Sequence, residues 1–121
     1  MTIHPAKWLC HNSISAALLA ALIVSGCVST EQIVPPISDH LLTLAQDEGL
    51  SIPQLERGRL VYLTDCTKCH SPESVTRYTA MQWKEIMPRM VKQTSLNTND
   101  RAAVEAYVTF ILRSESLHSG E

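Results

Sequence analysis

The sequence is poor in features that several large classes of protein require. Its 121 residues carry ten Lys and Arg against twelve Asp and Glu, so it lacks the excess of positive charge that nucleic-acid binding needs. Aromatic residues are few, with two Trp, three Tyr and one Phe, and a single domain of this size would have a thin core. No segment alternates apolar and polar residues as a strand does, and no internal repeat occurs. The chain is therefore predicted to be a small all-α domain, and a group other than its side chains is expected to help fill the core.

Long hydrophobic runs are missing too. The longest apolar stretch, ISAALLAALIV over residues 14–24, follows a polar start at the N-terminus. As a helix it would rise about 16 Å, well short of a hydrocarbon core of about 30 Å. A secretory signal is therefore favoured over a transmembrane anchor and over a buried core helix.

The residues after this run resemble the lipobox of bacterial lipoproteins. Val24, Ser25 and Gly26 precede Cys27, which the resemblance makes the lipidated first residue of the mature chain. The alternative is an ordinary cleavage site with an incidental Cys, although a free exported thiol would need its own explanation. Val28 is not the Asp associated with retention in the inner membrane, so the outer membrane is slightly favoured. The prediction is a signal peptide over residues 1–26 and a lipid anchor on the periplasmic face of a membrane.

The rest of the chain reads as an extended tether followed by helices. A Pro-Pro pair and the lack of a helical period predict an extended segment over residues 28–38. Pro88 should kink its helix or divide it into two near Met87, and residues 114–121 should fray. Four helical patterns follow capping residues, at Ser38, Ser51, Thr79 and Asn97.

The strongest chemical signal is the C-x-x-C-H sequence of Cys66, Cys69 and His70. Thiols at i and i+3 lie on one face of a turn, so both can add to the two vinyl groups of one haem. His70 then falls beneath the iron as its ligand, and its other nitrogen should donate to a carbonyl in the Ser71–Pro72 stretch. Three alternatives fit the motif less well. A thioredoxin-like pair of cysteines needs a βαβ context, which is absent, and a zinc site needs a second Cys/His pair, which does not follow. A disulfide between the two cysteines would leave the histidine unexplained. One covalently attached haem c is therefore the favoured cofactor.

On these residues the chain resembles the cytochrome c superfamily. RGRLVYLTDCTKCH, residues 57–70, is similar to the first helix of that fold, and VEAYVTFIL, residues 104–112, is similar to its last. Tyr107 would pack over Gly58, which explains a glycine inside a helix as a crossing point. RYTAMQWKEIMPRM, residues 77–90, resembles a subgroup of short single-haem bacterial cytochromes. The resemblance covers about residues 51–115 and implies three to four helices around the haem. Outside it, residues 27–50 are predicted to be a membrane tether with a short helix, and residues 116–121 a frayed tail.

The resemblance also implies a second axial ligand to the iron, usually a methionine. Met90 aligns with the methionine of the subgroup, seven positions after Trp83, and is the expected ligand. Met87 shares its helix face and is the rival, whereas Met81 lies on the far side of the helical wheel from Met90. An open or His-ligated position is the remaining alternative. The other mature-chain histidines, His40 and His118, are expected to be solvated.

Three residues are candidates for bonding the haem propionates: Arg77, Tyr78 and Trp83. Arg77 suits this role by charge and by the fork geometry of its donors. The alternative is one solvated arginine and two aromatic side chains that merely belong to the core.

These features predict an electron carrier rather than an enzyme. It would be a membrane-tethered periplasmic protein that carries haem c, binds no small organic substrate and no nucleic acid, and meets redox proteins through transient contacts. It could also be the haem subunit of a periplasmic dehydrogenase. The alternatives are a haem enzyme or gas sensor, for example peroxidase-like, with an open sixth iron position, and a lipoprotein whose haem merely completes the core.

Overall fold

The computed structural model describes residues 29–120, and this part of the chain is all-α, as predicted. It contains no strand, and none of its helices is both long and apolar enough to cross a membrane. The predicted signal peptide and lipidation site, Cys27, lie outside the described residues. The helices are α1 (Thr30–Ile33), α2 (Asp39–Asp47), α3 (Ile52–Thr64), α4 (Ala80–Thr94) and α5 (Thr98–His118), with a single 3₁₀ turn at Val75–Arg77.

The predicted capping residues begin the four longer helices. The backbone N–H of Gln82 donates to Thr79 Oγ1 at 3.3 Å, while Thr79 N–H donates back to Gln82 Oε1 at 2.9 Å. At the start of α5, the Asp100 N–H donates to Asn97 Oδ1 at 2.9 Å. These contacts satisfy N–H groups that have no partner within the helix, so each start is defined locally.

The close crossing of α3 and α5 forms the centre of the fold. A Cβ built on Gly58 would lie 2.1 Å from the Ala103 carbonyl oxygen and 2.7 Å from Tyr107 Cβ. Only glycine lets the two backbones approach so closely, which confirms the predicted packing of Tyr107 over Gly58. Around this crossing Tyr107 and Ile111 are fully buried.

Helix α4 continues through Pro88, so of the two predicted outcomes, a kinked helix or two short helices meeting near Met87, the second is wrong. Proline removes the bond to the Lys84 carbonyl, but Lys84 and Pro88 are both exposed and water can satisfy that oxygen. Trp83 and Val91 are buried on either side of the proline, and their burial holds the helix together.

The two ends of the described chain are more ordered than predicted. Residues 28–38 were expected to be extended, yet they include α1, and Val34 is fully buried in the core. The Pro35 carbonyl accepts from Arg59 Nε at 3.1 Å and from Tyr107 Oη at 2.6 Å. The predicted fraying from residue 114 is also wrong, because α5 extends to His118 and Ser114 is buried.

Candidate functional site

A cavity of about 490 Å³ lies between the end of α3, the loop over residues 65–78 and one face of α4. Its volume is within the range of about 300–1,000 Å³ that is usual for ligand sites. It is mostly apolar, because aromatic and sulfur-containing side chains dominate its walls. The residues that line it are Tyr62, Cys66, His70, Pro72, Glu73, Tyr78, Trp83, Ile86, Met87, Arg89 and Met90.

The Cys-x-x-Cys-His motif follows the end of α3 and reaches this cavity. Cys66 is half-buried and lines the cavity, and its burial, with a smaller effect of nearby Asp65, raises the pKa of its thiol. Cys69 is exposed and is not among the lining residues, whereas exposed His70 is. The structure therefore brings Cys66 and His70 to the site and leaves Cys69 at its rim.

The orientation of the His70 ring matches its predicted bond to the backbone. His70 Nδ1 lies 2.7 Å from the Ser71 carbonyl oxygen. A carbonyl can only accept, so Nδ1 must carry the hydrogen, and in a neutral ring Nε2 keeps its lone pair. That tautomer is the one in which Nε2 can bind a metal.

Two side-chain hydrogen bonds hold the loop that closes this side of the cavity. Tyr62 Oη donates to the Glu73 carbonyl at 2.8 Å, and Trp83 Nε1 donates to the Val75 carbonyl at 2.8 Å. Burial raises the pKa of Tyr62, so its hydroxyl keeps the proton that it donates. Val75 is itself fully buried, so the loop is anchored in the core.

The aromatic side chains form one wall of the cavity. Trp83 meets Tyr78 edge to face, with ring centroids 5.4 Å apart, and meets Tyr62 at 6.1 Å. Tyr78 and Trp83 thus lie at the site, as predicted. The single N–H of Trp83 is already donated to the Val75 carbonyl, however, so this residue presents a carbon surface to a ligand.

Both candidate methionines of α4 line the same cavity. Met87 is 6% exposed, and Met90, one turn later, is half-buried. Met81 is 74% exposed and lies outside the lining. The other histidines predicted to be solvated, His40 and His118, are exposed and are not lining residues either. The choice between Met87 and Met90 stays a prediction.

The charged side chains divide differently from the prediction. Arg77 forms an ion pair with Glu73, with 3.3 Å between Nη1 and Oε2, and its Cζ lies 5.8 Å from the centroid of the Tyr78 ring. Arg77 does not line the cavity. Arg89 does line it, and within residues 29–120 Arg89 makes no ion pair. Arg89 is therefore the one Lys or Arg among the described residues that line this cavity.

The residues present fit a haem attached at the motif. Cys66 and His70 come from one side of the cavity, Met87 and Met90 come from another, and an apolar aromatic wall lies between α3 and α4. The zinc alternative finds no such support, because no three His, Cys, Asp or Glu side chains of residues 29–120 converge to hold a metal ion. Cys69 lies one residue before His70 but is exposed and does not line the cavity, so a second covalent bond requires its side chain to turn toward the cavity.

Comparison with known proteins adds no further constraint. No family model matches the chain, and neither does any curated protein or solved structure. The assignment of the site therefore depends on its own residues.

The sequence did not identify Tyr62 and Arg89 as site residues. Tyr62 could have been identified, because it precedes Cys66 by four residues and residues four apart share a helical face. Nothing in the sequence pattern distinguished Arg89 from the other arginines.

Proposed function

We propose that this chain is an electron-transfer protein that carries one haem c and is held by a lipid on Cys27 at the periplasmic face of a bacterial membrane. The haem would be attached through Cys66 and Cys69, and His70 and Met90 would hold its iron. When bound, it supplies an iron that takes up and releases one electron. The protein would transform no organic substrate itself.

The observation that carries this proposal is the shared cavity of residues far apart in sequence. Cys66 and His70 face a space whose other wall is formed by Met87 and Met90, 17 to 24 residues later in the chain. A C-x-x-C-H motif without such a cavity would have no room for a macrocycle. An apolar pocket beside the motif, with a thioether on another wall, is what haem ligation by His and Met requires.

The chain's own residues would then set the properties of the site. The bond from His70 Nδ1 to the Ser71 carbonyl fixes the ring and makes Nε2 a better ligand. Tyr62, Tyr78 and Trp83 exclude water from one wall and lower the local dielectric constant. A methionine ligand favours a higher reduction potential than a second histidine would.

The exposed side of the motif is the expected meeting place with redox partners. Cys69 and His70 are exposed, so this edge of the site is at the surface. Lys68 also lies in the motif, and its Nζ is 2.5 Å from Asp65 Oδ1, so the carboxylate of Asp65 offsets its charge. A nearly neutral rim suits brief, small contacts rather than one strongly steered partner.

The test begins with the full chain, produced in a bacterium that attaches haem to exported proteins. We expect a haem that stays with the polypeptide after denaturation and a mass increase that corresponds to one haem. The ferric protein should display the weak near-infrared band of sulfur-to-iron ligation. Removing both thiols, in Cys66→Ala/Cys69→Ala, should abolish attachment.

The haem enzyme or gas-sensor alternative makes the opposite spectroscopic prediction. An iron with an open sixth position gives no near-infrared sulfur band, and it binds cyanide or carbon monoxide rapidly with one equivalent. That pair of results would overturn the electron-carrier proposal while leaving the haem assignment intact. Absence of covalently bound haem would overturn both.

A further inference from the structure

Two histidines from opposite ends of the described chain meet on the surface, away from the cavity. His40 lies in the first turn of α2 and His118 in the last turn of α5. Their ring centroids are 4.8 Å apart, and the ring planes are inclined by 39°. Both side chains are exposed, and 77 residues separate them in the sequence. Neither residue belongs to the hydrophobic core.

The distance between the rings suits two ligands of one metal ion. With a metal–nitrogen bond of about 2.0–2.1 Å, each ring centre lies about 3 Å from the ion, and two rings in neighbouring positions are about 4.5–5 Å apart. The observed 4.8 Å lies within that interval. The separation of the two rings is therefore compatible with one shared ion.

The nitrogens of both rings are available. Among the hydrogen bonds and ion pairs within residues 29–120, the only histidine nitrogen that takes part is that of His70. Neither His40 nor His118 is therefore committed to another group there. Water can reach both rings, so it can supply the remaining ligands of an ion.

The local charges also tolerate a cation. The C-terminal end of α5 carries the negative end of its helix dipole, and His118 is in that last turn. His40 lies at the positive end of α2, but Asp39 in the same turn adds a negative charge that offsets it. A divalent ion between the two rings is thus not repelled by its surroundings.

We propose that His40 and His118 form a two-ligand binding site for a divalent transition-metal ion such as Zn²⁺, Ni²⁺ or Cu²⁺, in which water supplies every other ligand because no third His, Cys, Asp or Glu of residues 29–120 converges there. Imidazole nitrogen suits these metals, whereas Mg²⁺ and Ca²⁺ prefer oxygen ligands. The site shares no residue with the haem cavity and does not depend on the proposed function.

The bound ion would fasten α2 to the end of α5. An ion pair already connects these helices: Arg113, about one and a half turns before His118 on α5, pairs with Glu48, which follows the last residue of α2. An ion at His40 and His118 would add a second connection at the other end of α2. Both ends of α2 would then be connected to α5, and α2 is the helix that follows the predicted membrane tether.

The experiment titrates the purified full chain with Zn²⁺, Ni²⁺ or Cu²⁺ alone, by calorimetry. The matched variants are His40→Gln, His118→Gln and the double variant, all of which keep every other His and Cys of the chain. We expect each single variant to lose one binding equivalent, and the double variant to lose no more than either single one. Mg²⁺ should not bind at this site.

A thermal readout checks that the site links two helices. An ion that binds only the folded chain at a large excess over its Kd should raise the melting temperature of the wild type by several degrees, and that of the variants by less. Circular dichroism should be the same for all four proteins, because both side chains are exposed. The proposal is overturned if binding is unchanged in the variants, or if each variant loses an equivalent and the double variant loses two.

Discussion

At the scale of single residues, Met87 and Met90 illustrate what a sequence resolves and what it leaves open. A helix turns by about 100° per residue, so residues three apart share one face. Both side chains therefore lie on one face of α4, and both line the cavity. Cys66, Cys69 and His70 form a local motif and could be identified directly, whereas the choice between two thioethers depends on side-chain positions that no periodicity supplies.

We predict that Met90→Ala removes the near-infrared sulfur-to-iron band of the ferric protein. Met90 is only half-buried, so its loss should leave the fold intact, whereas Met87 is 6% exposed and belongs to the core. Met87→Ala should keep the band and lower the free energy of unfolding by about 2–5 kcal/mol, the usual cost of truncating a buried Met. If Met87→Ala removes the band and Met90→Ala does not, the ligand is Met87.

Arg89 and Arg77 offer a second test at this scale. A cation near the iron favours the reduced form, because reduction removes one positive charge from the site. Arg89 lines the cavity, whereas Arg77 is paired with Glu73 and does not. We predict that Arg89→Gln lowers the reduction potential, because it removes this cation from the lining of the cavity.

The matched control is Arg77→Gln, which removes the same charge from an exposed position. Spectroelectrochemical titration of both variants at several pH values measures the difference. A larger shift in Arg77→Gln than in Arg89→Gln would contradict this assignment and restore the sequence-based choice of Arg77.

At the scale of elements, the starts of helices could be predicted and the behaviour of the chain ends could not. Thr79 and Asn97 cap their helices through atoms within three residues, so the information is local. The position of Val34 depends instead on distant residues, because its carbonyl accepts from Arg59 Nε and the next carbonyl, that of Pro35, accepts from Tyr107 Oη, 72 residues away in sequence. Likewise, α5 extends past residue 114 because Ser114 is buried and donates to the Ile111 carbonyl.

Substitution of Gly58 tests the crossing of α3 and α5. An added methyl group would meet the Ala103 carbonyl oxygen at 2.1 Å, and that oxygen is backbone, so the helices must separate. We predict that Gly58→Ala lowers the free energy of unfolding by about 2 kcal/mol or more, despite a gain of about 1 kcal/mol in helix propensity.

Denaturant unfolding of the full chain measures this change, with Glu56→Ala as the control. Glu56 is exposed on the same helix, and a surface change there should fall within about 0.5 kcal/mol of the wild type. Equal stability of Gly58→Ala and the wild type would mean that the two backbones are further apart than described.

At the scale of the whole molecule, a small domain is built around an apolar space. The core has few large side chains, and the cavity of about 490 Å³ lies among three of its aromatic residues, Tyr62, Tyr78 and Trp83. Domains of this size are stable by only about 5–15 kcal/mol, so the loss of a group that fills such a space is a large perturbation. The composition predicted that a bound group would help to fill the core, and the cavity is the place where such a group could bind.

We therefore predict that the Cys66→Ala/Cys69→Ala variant, which cannot attach haem, loses most of its helical circular dichroism and its cooperative thermal transition. The substitutions themselves remove little packing, because Cys69 is exposed and Cys66 is only half-buried. Met90→Ala serves as the control, because it should retain the attached haem, and with it the fold, while losing only the sulfur ligand. Native helicity with a cooperative transition in the double variant would mean that α3, α4 and α5 pack stably around an empty cavity, and the haem would then have no part in folding.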